Sequence, residues 1–238
     1  MEHAIVTLSA QSKHNQLLAA LPTASRRRLT AHFEAVHLGL DESLFPRAGA
    51  LPFVYFPTES IVTLAYAIEE GAMAKAWPVG REGMVGISLI LDTAVRSNRA
   101  TVQVAGGAIR LAGAPLMAEF RRTEDFRRLL LRYVFALMTQ ASQLSVCGQH
   151  HDIEHRFCRC LSRLFDRCGS TIFITQQRMS GLLGVRRESV SPIALALQRA
   201  GIILYVRGQM TLVNRRAFEL RACGCGAIIR RAFDAVSG

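Results

Sequence analysis

The residues best placed for chemistry form one short stretch, Arg186-Arg187-Glu188-Ser189. An arginine fork fits the O6 and N7 acceptors of guanine, a glutamate accepts a hydrogen bond from the N4 amino group of cytosine, and a serine hydroxyl contacts a base or a phosphate. The stretch opens a segment with helical periodicity that continues to Arg199. It therefore predicts a helix whose first turn contacts base edges in double-stranded DNA.

The other reactive side chains are cysteines, at positions 147, 158, 160, 168, 223 and 225. They are too sparse for a disulfide scaffold, and they lack the Cys-x-x-Cys spacing of common zinc sites. We therefore predict reduced thiols and no metal site. Cys223-Gly224-Cys225 leaves two interpretations open, a pair that responds to oxidants and two ordinary surface cysteines. His150 and His151 leave open a haem-binding or pH-sensing role and an ordinary hydrogen-bonded linker.

Charge favours a polyanionic partner. The 238 residues carry 29 Lys and Arg against 18 Asp and Glu, a formal net charge of +11. Residues 152–238 carry 14 basic against 6 acidic side chains, so most of the excess lies in the C-terminal part. This distribution predicts a nucleic-acid footprint there.

Several other classes of protein are disfavoured. We find no Ser-His-Asp, Walker, dinucleotide-binding or zinc-protease pattern, and we predict no catalytic residues and no enzyme. No apolar stretch reaches the length that spans a bilayer, and the first 15 residues lack the pattern of a signal peptide. We expect a cytoplasmic protein with no membrane partner.

The elements that position these residues follow from periodicity. Between Gln11 and Leu38, apolar residues spaced by three or four predict two short helices broken at Pro22. From Leu44 to Leu111, short apolar runs predict the strands of a β-sandwich or barrel, at Phe53–Phe56, Ile61–Leu64, Ala76–Val79, Met84–Ile87, Thr101–Val104 and Ile109–Leu111.

After Pro115 the period is helical again, and apolar residues from Phe126 to Leu144 predict an amphipathic helix of five turns or more. Two interpretations remain open: a seam between two copies of the chain, which its near-heptad register favours, and packing on its own sandwich. Residues 146–152 are predicted to form a hinge, followed by a further helix over 152–168.

The C-terminal part predicts a helix-turn-helix followed by a wing. Thr175 is a good N-cap, the first helix stops at Gly184, and the second begins near Arg186. Two apolar runs then flank Arg207-Gly208-Gln209, which predicts a hairpin with a three-residue turn. An arginine at the tip of such a wing contacts the phosphate backbone.

Residues 175–190, read as TQQRMSGLLGVRRESV, resemble the helix-turn-helix signature of the Crp/Fnr transcription regulators. The order of parts along the chain resembles that family too. The resemblance implies an α+β chain with two domains, a sensory cyclic-nucleotide-binding-like β-roll with a dimerisation helix over 1–151 and a winged helix-turn-helix over 152–238. It places the DNA-binding residues at Thr175, Gln176, Arg186, Arg187, Glu188, Ser189, Ser191 and Arg207.

Two departures from the family pattern bear on function. Pro192 stands where the family usually has an arginine that contacts DNA, and a proline removes a helix hydrogen bond and can kink the helix. In the β-roll, the resemblance places an effector site at Gly86, Ile87, Arg99 and Ala100. Ile87 replaces the glutamate that binds a ribose hydroxyl, so we do not expect cyclic AMP in its usual pose. Arg99 matches the phosphate-binding arginine, or else pairs with Glu82 as a structural residue.

The resemblance thus implies a homodimeric, sequence-specific DNA-binding transcription regulator, controlled by a small-molecule or redox signal at the β-roll. The partners it implies are a near-palindromic operator, a second copy of the chain and RNA polymerase. An iron-sulfur cluster is not supported, because the oxygen-sensing branch has N-terminal cysteines and the first cysteine here is Cys147. The alternative is a module that binds a small molecule and has no DNA role.

Overall fold

The computed structural model describes residues 12–45, 51–67, 73–91 and 98–237. The chain divides into two compact units. The first unit comprises Met1–Met138 and Phe233–Gly238, and the second comprises Thr139–Ala232. The domain boundary at 151/152 stays a prediction.

The described part of the first unit contains two short helices, α1 (Gln16–Ala19) and α2 (Thr23–Thr30), which confirms the two predicted helices. The buried Asn15 caps α1, because its Oδ1 accepts from Leu18 N at 3.0 Å. Helix α2 ends earlier than predicted, and Phe33–Leu38 is strand β1. That prediction was wrong because β1 pairs along its whole length with a strand more than 60 positions later.

Two antiparallel sheets follow. Their strands are β2 (Phe53–Pro57), β3 (Ile61–Ala67), β4 (Met73–Val79), β5 (Asn98–Val104) and β6 (Gly106–Ala112). One sheet has the order β1-β6-β2 and the other the order β4-β3-β5. A strand predicted at Met84–Ile87 is wrong. This segment makes one isolated bridge between Val85 and Tyr55 and then turns into a short 3₁₀ helix, Ile87–Leu89.

The core of the first unit joins the two sheets. It buries alternate residues of both, as the twofold period of a strand requires. Val62, Leu64, Ala100 and Val102 come from the second sheet, and Leu38 and Ala108 come from the first. Of the predicted β-sandwich or barrel, the two separate sheets form the sandwich.

Helices α3 (Gly113–Arg122) and α4 (Glu124–His150) come next, separated by the extended residue Thr123. The predicted long amphipathic helix is confirmed as α4. Within the first unit it buries Phe126, Leu130 and Tyr133, while Phe135 and Met138 are 69% and 62% exposed. One side of α4 is thus buried, and an apolar stripe on it is exposed.

The second unit begins within α4. The helix ends at His150, and Asp152 caps α5 (Ile153–Cys168) by accepting from His155 N at 2.9 Å. The predicted break is therefore narrower than 146–152. The remaining elements are β7 (Thr171–Phe173), α6 (Gln176–Leu183), α7 (Arg187–Arg199), β8 (Ile203–Val206), β9 (Gln209–Leu212), α8 (Arg215–Leu220) and α9 (Cys225–Ser237).

Helices α5 and α7 pack against a small antiparallel sheet of order β7-β9-β8. Helix α5 lies against α6, α7, α8 and β7 and buries Phe157, Leu161 and Phe165. The ring of Phe165 meets that of Phe218 edge to face, with 5.6 Å between centroids. Among the described helices, none combines the length and the apolar character that a membrane crossing demands.

Candidate nucleic-acid interface

Helix α6 and the turn after it set the position of α7. Thr175 caps α6, because its Oγ1 accepts from Arg178 N at 3.2 Å. Gly184 ends α6 in the left-handed region at φ 64°, where a glycine is favoured. The backbone N–H of the next residue, Val185, donates to Ser180 O at 3.1 Å. The chain therefore reverses tightly between two helices, as a helix-turn-helix requires.

The first turn of α7 carries the predicted base-reading residues. Arg186 is its N-cap, and Arg187 and Glu188 are its first two helical residues. All three are exposed, while Ser189 is half-buried. Behind them, Val190, Ala194 and Leu197 face the core. The helix thus buries one side and presents a charged N-terminal turn to solvent.

A hydrogen bond between side chains connects the two helices. The Ser191 hydroxyl donates to Gln176 Oε1 at 2.7 Å, and both residues are half-buried. Gln176 and Ser191, which were both predicted to contact DNA, therefore contact each other. Helix α7 runs through Pro192 without a break, and Pro192 lacks the N–H that would donate to the Glu188 carbonyl.

Helix α5 contributes a further contact to this arrangement. The Arg156 guanidinium donates to Leu183 O at 2.6 Å. Since the last carbonyls of a helix lack intrahelical donors, this contact satisfies one of them at the end of α6. It also places the positive charge of Arg156 at the negative end of the α6 dipole, which is a favourable interaction.

The wing is a hairpin of β8 and β9 with a two-residue turn. Val206 pairs with Gln209, which leaves Arg207 and Gly208 in the turn, at φ 49° and 82°. The prediction of a three-residue turn is therefore wrong. Positive φ at both positions is typical of a type I′ turn, whose twist matches the strands. Arg207 is exposed at the tip.

Tyr205 fastens the wing to its neighbours. Its backbone N–H donates to Gln198 Oε1 of α7 at 2.8 Å, and its hydroxyl donates to Ile174 O at 3.1 Å. Burial raises the pKa of the Tyr205 hydroxyl above its ordinary value, so this group stays a neutral donor. These contacts join the wing to α7 and to the end of β7.

Comparison with known proteins agrees with this geometry. Residues 155–221 match the Crp-like helix-turn-helix domain. They form a Crp-like helix-turn-helix domain. No curated protein sequence matches the chain.

Solved structures share the fold over about four fifths of the chain. FixK2 from Bradyrhizobium japonicum has a TM-score of 0.68 at 14% identity, covering 80% of this chain and 98% of that one. TTHB099, a CRP-family transcriptional regulator from Thermus thermophilus, has a TM-score of 0.64 at 17% identity, covering 79% and 96%. The c-di-GMP responsive global regulator CLP from Xanthomonas campestris has a TM-score of 0.59 at 14% identity, covering 80% and 99%.

The Crp-like domain and these structural relatives bear out the resemblance seen in the sequence. The C-terminal motif is that of the Crp/Fnr regulators, and the fold, with its cyclic-nucleotide-binding-like roll and long helix, is theirs as well.

The residues of the predicted effector site lie in two segments of the first unit, the turn at Gly86 and Ile87 and strand β5. Gly86 adopts φ 110° beside the first sheet, where a Cβ would come within 2.9 Å of Val54 Cγ1, and Ile87 beside it is half-buried. Arg99 and Ala100 lie on β5 of the second sheet, the arginine exposed and the alanine fully buried. In the described part of the chain, no hydrogen bond joins Gly86 and Ile87 to Arg99 and Ala100.

The structure also assembles a group that the sequence analysis missed. Cys147 Sγ lies 3.5 Å from Cys223 Sγ, and Cys225 Sγ lies 3.6 Å from His151 Nδ1. We call these four residues of the second unit the Cys/His cluster. Burial and the hydrogen bond with Cys147 raise the pKa of the Cys223 thiol to about 12.

Neither cysteine of the Cys223-Gly224-Cys225 pair is an ordinary surface residue, because they are 8% and 4% exposed. The interpretation of Cys223 and Cys225 as ordinary surface cysteines is therefore wrong. The spacing Cys147-x-x-x-His151 at a helix end could have suggested one half of the cluster, since residues four apart share a helix face. The other half comes from more than 70 positions away.

Proposed function

We propose that this protein is a homodimeric, sequence-specific DNA-binding transcription regulator. One observation carries the proposal: the tight turn at Gly184 presents Arg186, Arg187 and Glu188, all exposed, on the first turn of the second helix of a Crp-like domain. In helix-turn-helix proteins this turn enters the major groove.

The residues of the interface have separate roles. Arg186, Arg187 and Glu188 contact base edges, and Ser189 contacts a base or a phosphate. Arg207 at the wing tip and Thr175 at the start of α6 contact the phosphate backbone. Gln176 and Ser191 hold the two helices in register through their mutual hydrogen bond, and their free polar atoms contact the backbone of the DNA.

Charge supports this assignment. Three acidic residues of the second unit are paired with arginines that follow the wing, as Arg215 with Asp166 at 2.8 Å illustrates. The exposed arginines of α7 and of the wing are left to meet phosphate and guanine. Binding should weaken steeply with salt, since each phosphate contact releases a counterion.

The exposed stripe on α4 supports the dimer. Leu131, Phe135 and Met138 are spaced by four and three, and they are 49%, 69% and 62% exposed. Such spacing is typical of the seam between two helices. Two copies joined along it would present two α7 helices to half-sites about 34 to 36 Å apart, which predicts a near-palindromic operator.

The DNA interface is tested by selecting a binding sequence from a random duplex library and measuring fluorescence anisotropy over a salt series. The double substitution Arg187→Ala with Glu188→Ala should weaken binding to the selected sequence by about 100-fold, because two base contacts are lost. Arg231→Ala, which removes an exposed charge at another place, should weaken it on the order of twofold. Retention of the selected sequence by the double variant would rule out this interface.

The dimer is tested by sedimentation equilibrium. Phe135→Glu should convert the protein to a monomer, since it places a charge in the apolar seam. Leu40→Glu, at a residue of the first unit that is 53% exposed, should leave the dimer intact. A dimer that survives Phe135→Glu would place the interface on another surface.

The β-roll would supply the signal, a small molecule or a change in redox state, bound or sensed at Gly86, Ile87, Arg99 and Ala100. Native mass spectrometry of the freshly purified protein identifies a co-purifying molecule, and Arg99→Ala should lose it. A chain that binds such a molecule and no DNA would be a binding module instead. We also propose that the regulator acts in the cytoplasm, contacts RNA polymerase and has no catalytic activity.

A further inference from the structure

The Cys/His cluster has no part in the DNA interface or the effector site. It lies within the second unit, where the end of α4 meets the segment that starts α9. His151 follows the last residue of α4, and its backbone N–H donates to Cys147 O at 3.1 Å, which keeps the two residues on one side of the helix end. Cys223 and Cys225 approach from the other segment, on either side of Gly224.

The ligand atoms are arranged for one central ion. One atom from each residue, three Sγ and one imidazole nitrogen, lie within 4.8 Å of one another. A tetrahedral ion with bonds of about 2.3 Å to sulfur and about 2.0 Å to nitrogen separates two sulfurs by about 3.8 Å and a sulfur from a nitrogen by about 3.5 Å. The observed separations of 3.5 Å and 3.6 Å are close to these values.

The surroundings of the cluster resemble those of a metal site. The three cysteines form a small buried cluster of their own, at 0%, 8% and 4% exposure, and His151 is half-buried. Gln143 Nε2 donates to Cys225 Sγ at 3.1 Å. Hydrogen bonds from the second shell to ligand atoms are a regular part of metal sites, because they orient the ligand and tune its charge.

The donor set selects the class of ion. Thiolates and an imidazole suit soft or borderline ions, whereas magnesium and calcium require oxygen ligands. Four protein ligands in a closed tetrahedron are typical of a structural zinc site, since a catalytic one leaves a position open for water. A cluster with several irons needs ligands spread over more than one metal, which the compact spacing here does not favour.

We propose that the Cys/His cluster binds a structural zinc ion. The ion fastens the end of α4 to the start of α9, two segments separated by 76 positions between Cys147 and Cys223. Three cysteine side chains offer little apolar surface to hold such segments together. Metal coordination supplies that stability directly, because the ligands are gathered only in the folded chain.

The test measures the metal content of the full chain, expressed with zinc in the medium and purified anaerobically under reducing conditions. We expect about one zinc ion per chain by mass spectrometry of the metals. Replacement by Co²⁺ should give the intense visible bands of a tetrahedral ion together with thiolate charge-transfer absorption. The cobalt spectrum decides the proposal on the unaltered protein, whether or not any variant folds.

Substitutions then assign the ligands. Cys225→Ser and His151→Gln should each lose most of the zinc and lower the melting temperature of the second unit. Cys160→Ser, at a half-buried cysteine outside the cluster, and His150→Gln, at the exposed neighbour of His151, are matched controls that should retain it. Removal of zinc by a chelator should lower the melting temperature of the unaltered protein, and added zinc should restore it.

Three results would overturn the proposal. The first is an unaltered protein that neither carries zinc nor takes up Co²⁺. The second is full zinc retention by both His151→Gln and Cys225→Ser. The third is a disulfide between Cys147 and Cys223 in the anaerobically purified chain, seen as four free thiols in place of six. The proposal does not rest on DNA binding, so a chain that holds zinc and binds no DNA would contradict only the proposed function.

Discussion

Two polar groups, one in each unit, are placed in opposite ways. In the first unit the group turns inward: Glu119 is 4% exposed and accepts from Ser25 Oγ at 2.6 Å and from Arg28 Nε at 2.8 Å. In the second unit, Arg187 and Glu188 are adjacent and exposed on the first turn of α7. Buried polar contacts stabilise a particular packing, whereas exposed charges are available to a partner.

The difference also explains which residues can be recognised in advance. Ser25 and Glu119 are separated by 94 positions, so nothing in either local pattern announces their contact. Arg187 and Glu188 are neighbours in the chain, and local helix signals predict their position on the first turn of α7. The predictions below test whether the first unit depends on close internal contacts and whether the second depends on its turns.

The largest effect is expected for Gly83→Ala in the first unit. A Cβ there would lie 2.3 Å from Tyr133 Oη, and that hydroxyl donates to Met84 O and accepts from Met84 N, each at 2.9 Å. The buried ring has to move, which should cost about 3 kcal/mol or more of unfolding free energy. Urea unfolding followed by the fluorescence of Trp77, the chain's one tryptophan, measures it in this unit.

Gly39→Ala is the matched control for this substitution in the same unit. A Cβ at Gly39 would meet only Glu42 Oε2, at the ordinary contact distance of 3.5 Å, so alanine should change the unfolding free energy by no more than about 0.5 kcal/mol. Equal unfolding midpoints for the two alanine variants would contradict the close packing at Gly83.

A smaller effect is expected for Glu119→Gln. The Arg28 guanidinium, followed by the Ser25 and Thr123 hydroxyls, lowers the pKa of Glu119 from 4.5 to about 2. The substitution removes a charged acceptor and should cost about 2 kcal/mol at neutral pH. Because the folded pKa is the lower one, the contribution is complete above pH 4.5 and is lost as the pH falls toward 2.

The same Trp77 unfolding experiment at pH 7 and at pH 3 tests this. The difference between the unaltered protein and Glu119→Gln should shrink at the lower pH. Glu124→Gln removes an exposed carboxylate paired with Arg128 on the surface, and it should change stability little at either pH. A difference for Glu119→Gln that does not depend on pH would show that its carboxylate is not the titrating group.

The smallest effect is expected for Gly184→Ala in the second unit. No atom lies within 4 Å of a Cβ there, so the cost is only that of holding alanine at φ 64°, about 1 kcal/mol. Gly184→Asn should cost less, because asparagine tolerates this conformation. Thermal unfolding followed by circular dichroism should give the highest melting temperature for glycine, then asparagine, then alanine. An alanine variant as stable as the unaltered protein would show that the turn does not require glycine at position 184.

Local signals in the sequence were sufficient for much of the second unit. The N-cap at Thr175, the glycine stop at Gly184 and the charged turn at Arg186 each act within a few residues, and the structure places a helix-turn-helix there. Where a distant partner decides the conformation, the same signals failed. Phe33–Leu38 has helical spacing but pairs with β6, and Met84–Ile87 has the composition of a strand but bends at Gly86.

The amino-acid sequence by itself determined the helix-turn-helix motif, the charged first turn of α7 and most of the order of the elements, because these depend on residues close together in the chain. Only the tertiary structure decided which distant residues meet. The Cys/His cluster unites two pairs of ligands, each recognisable at most as a fragment, across more than 70 positions. A fold determines such a meeting through the packing of whole elements, which no local spacing encodes.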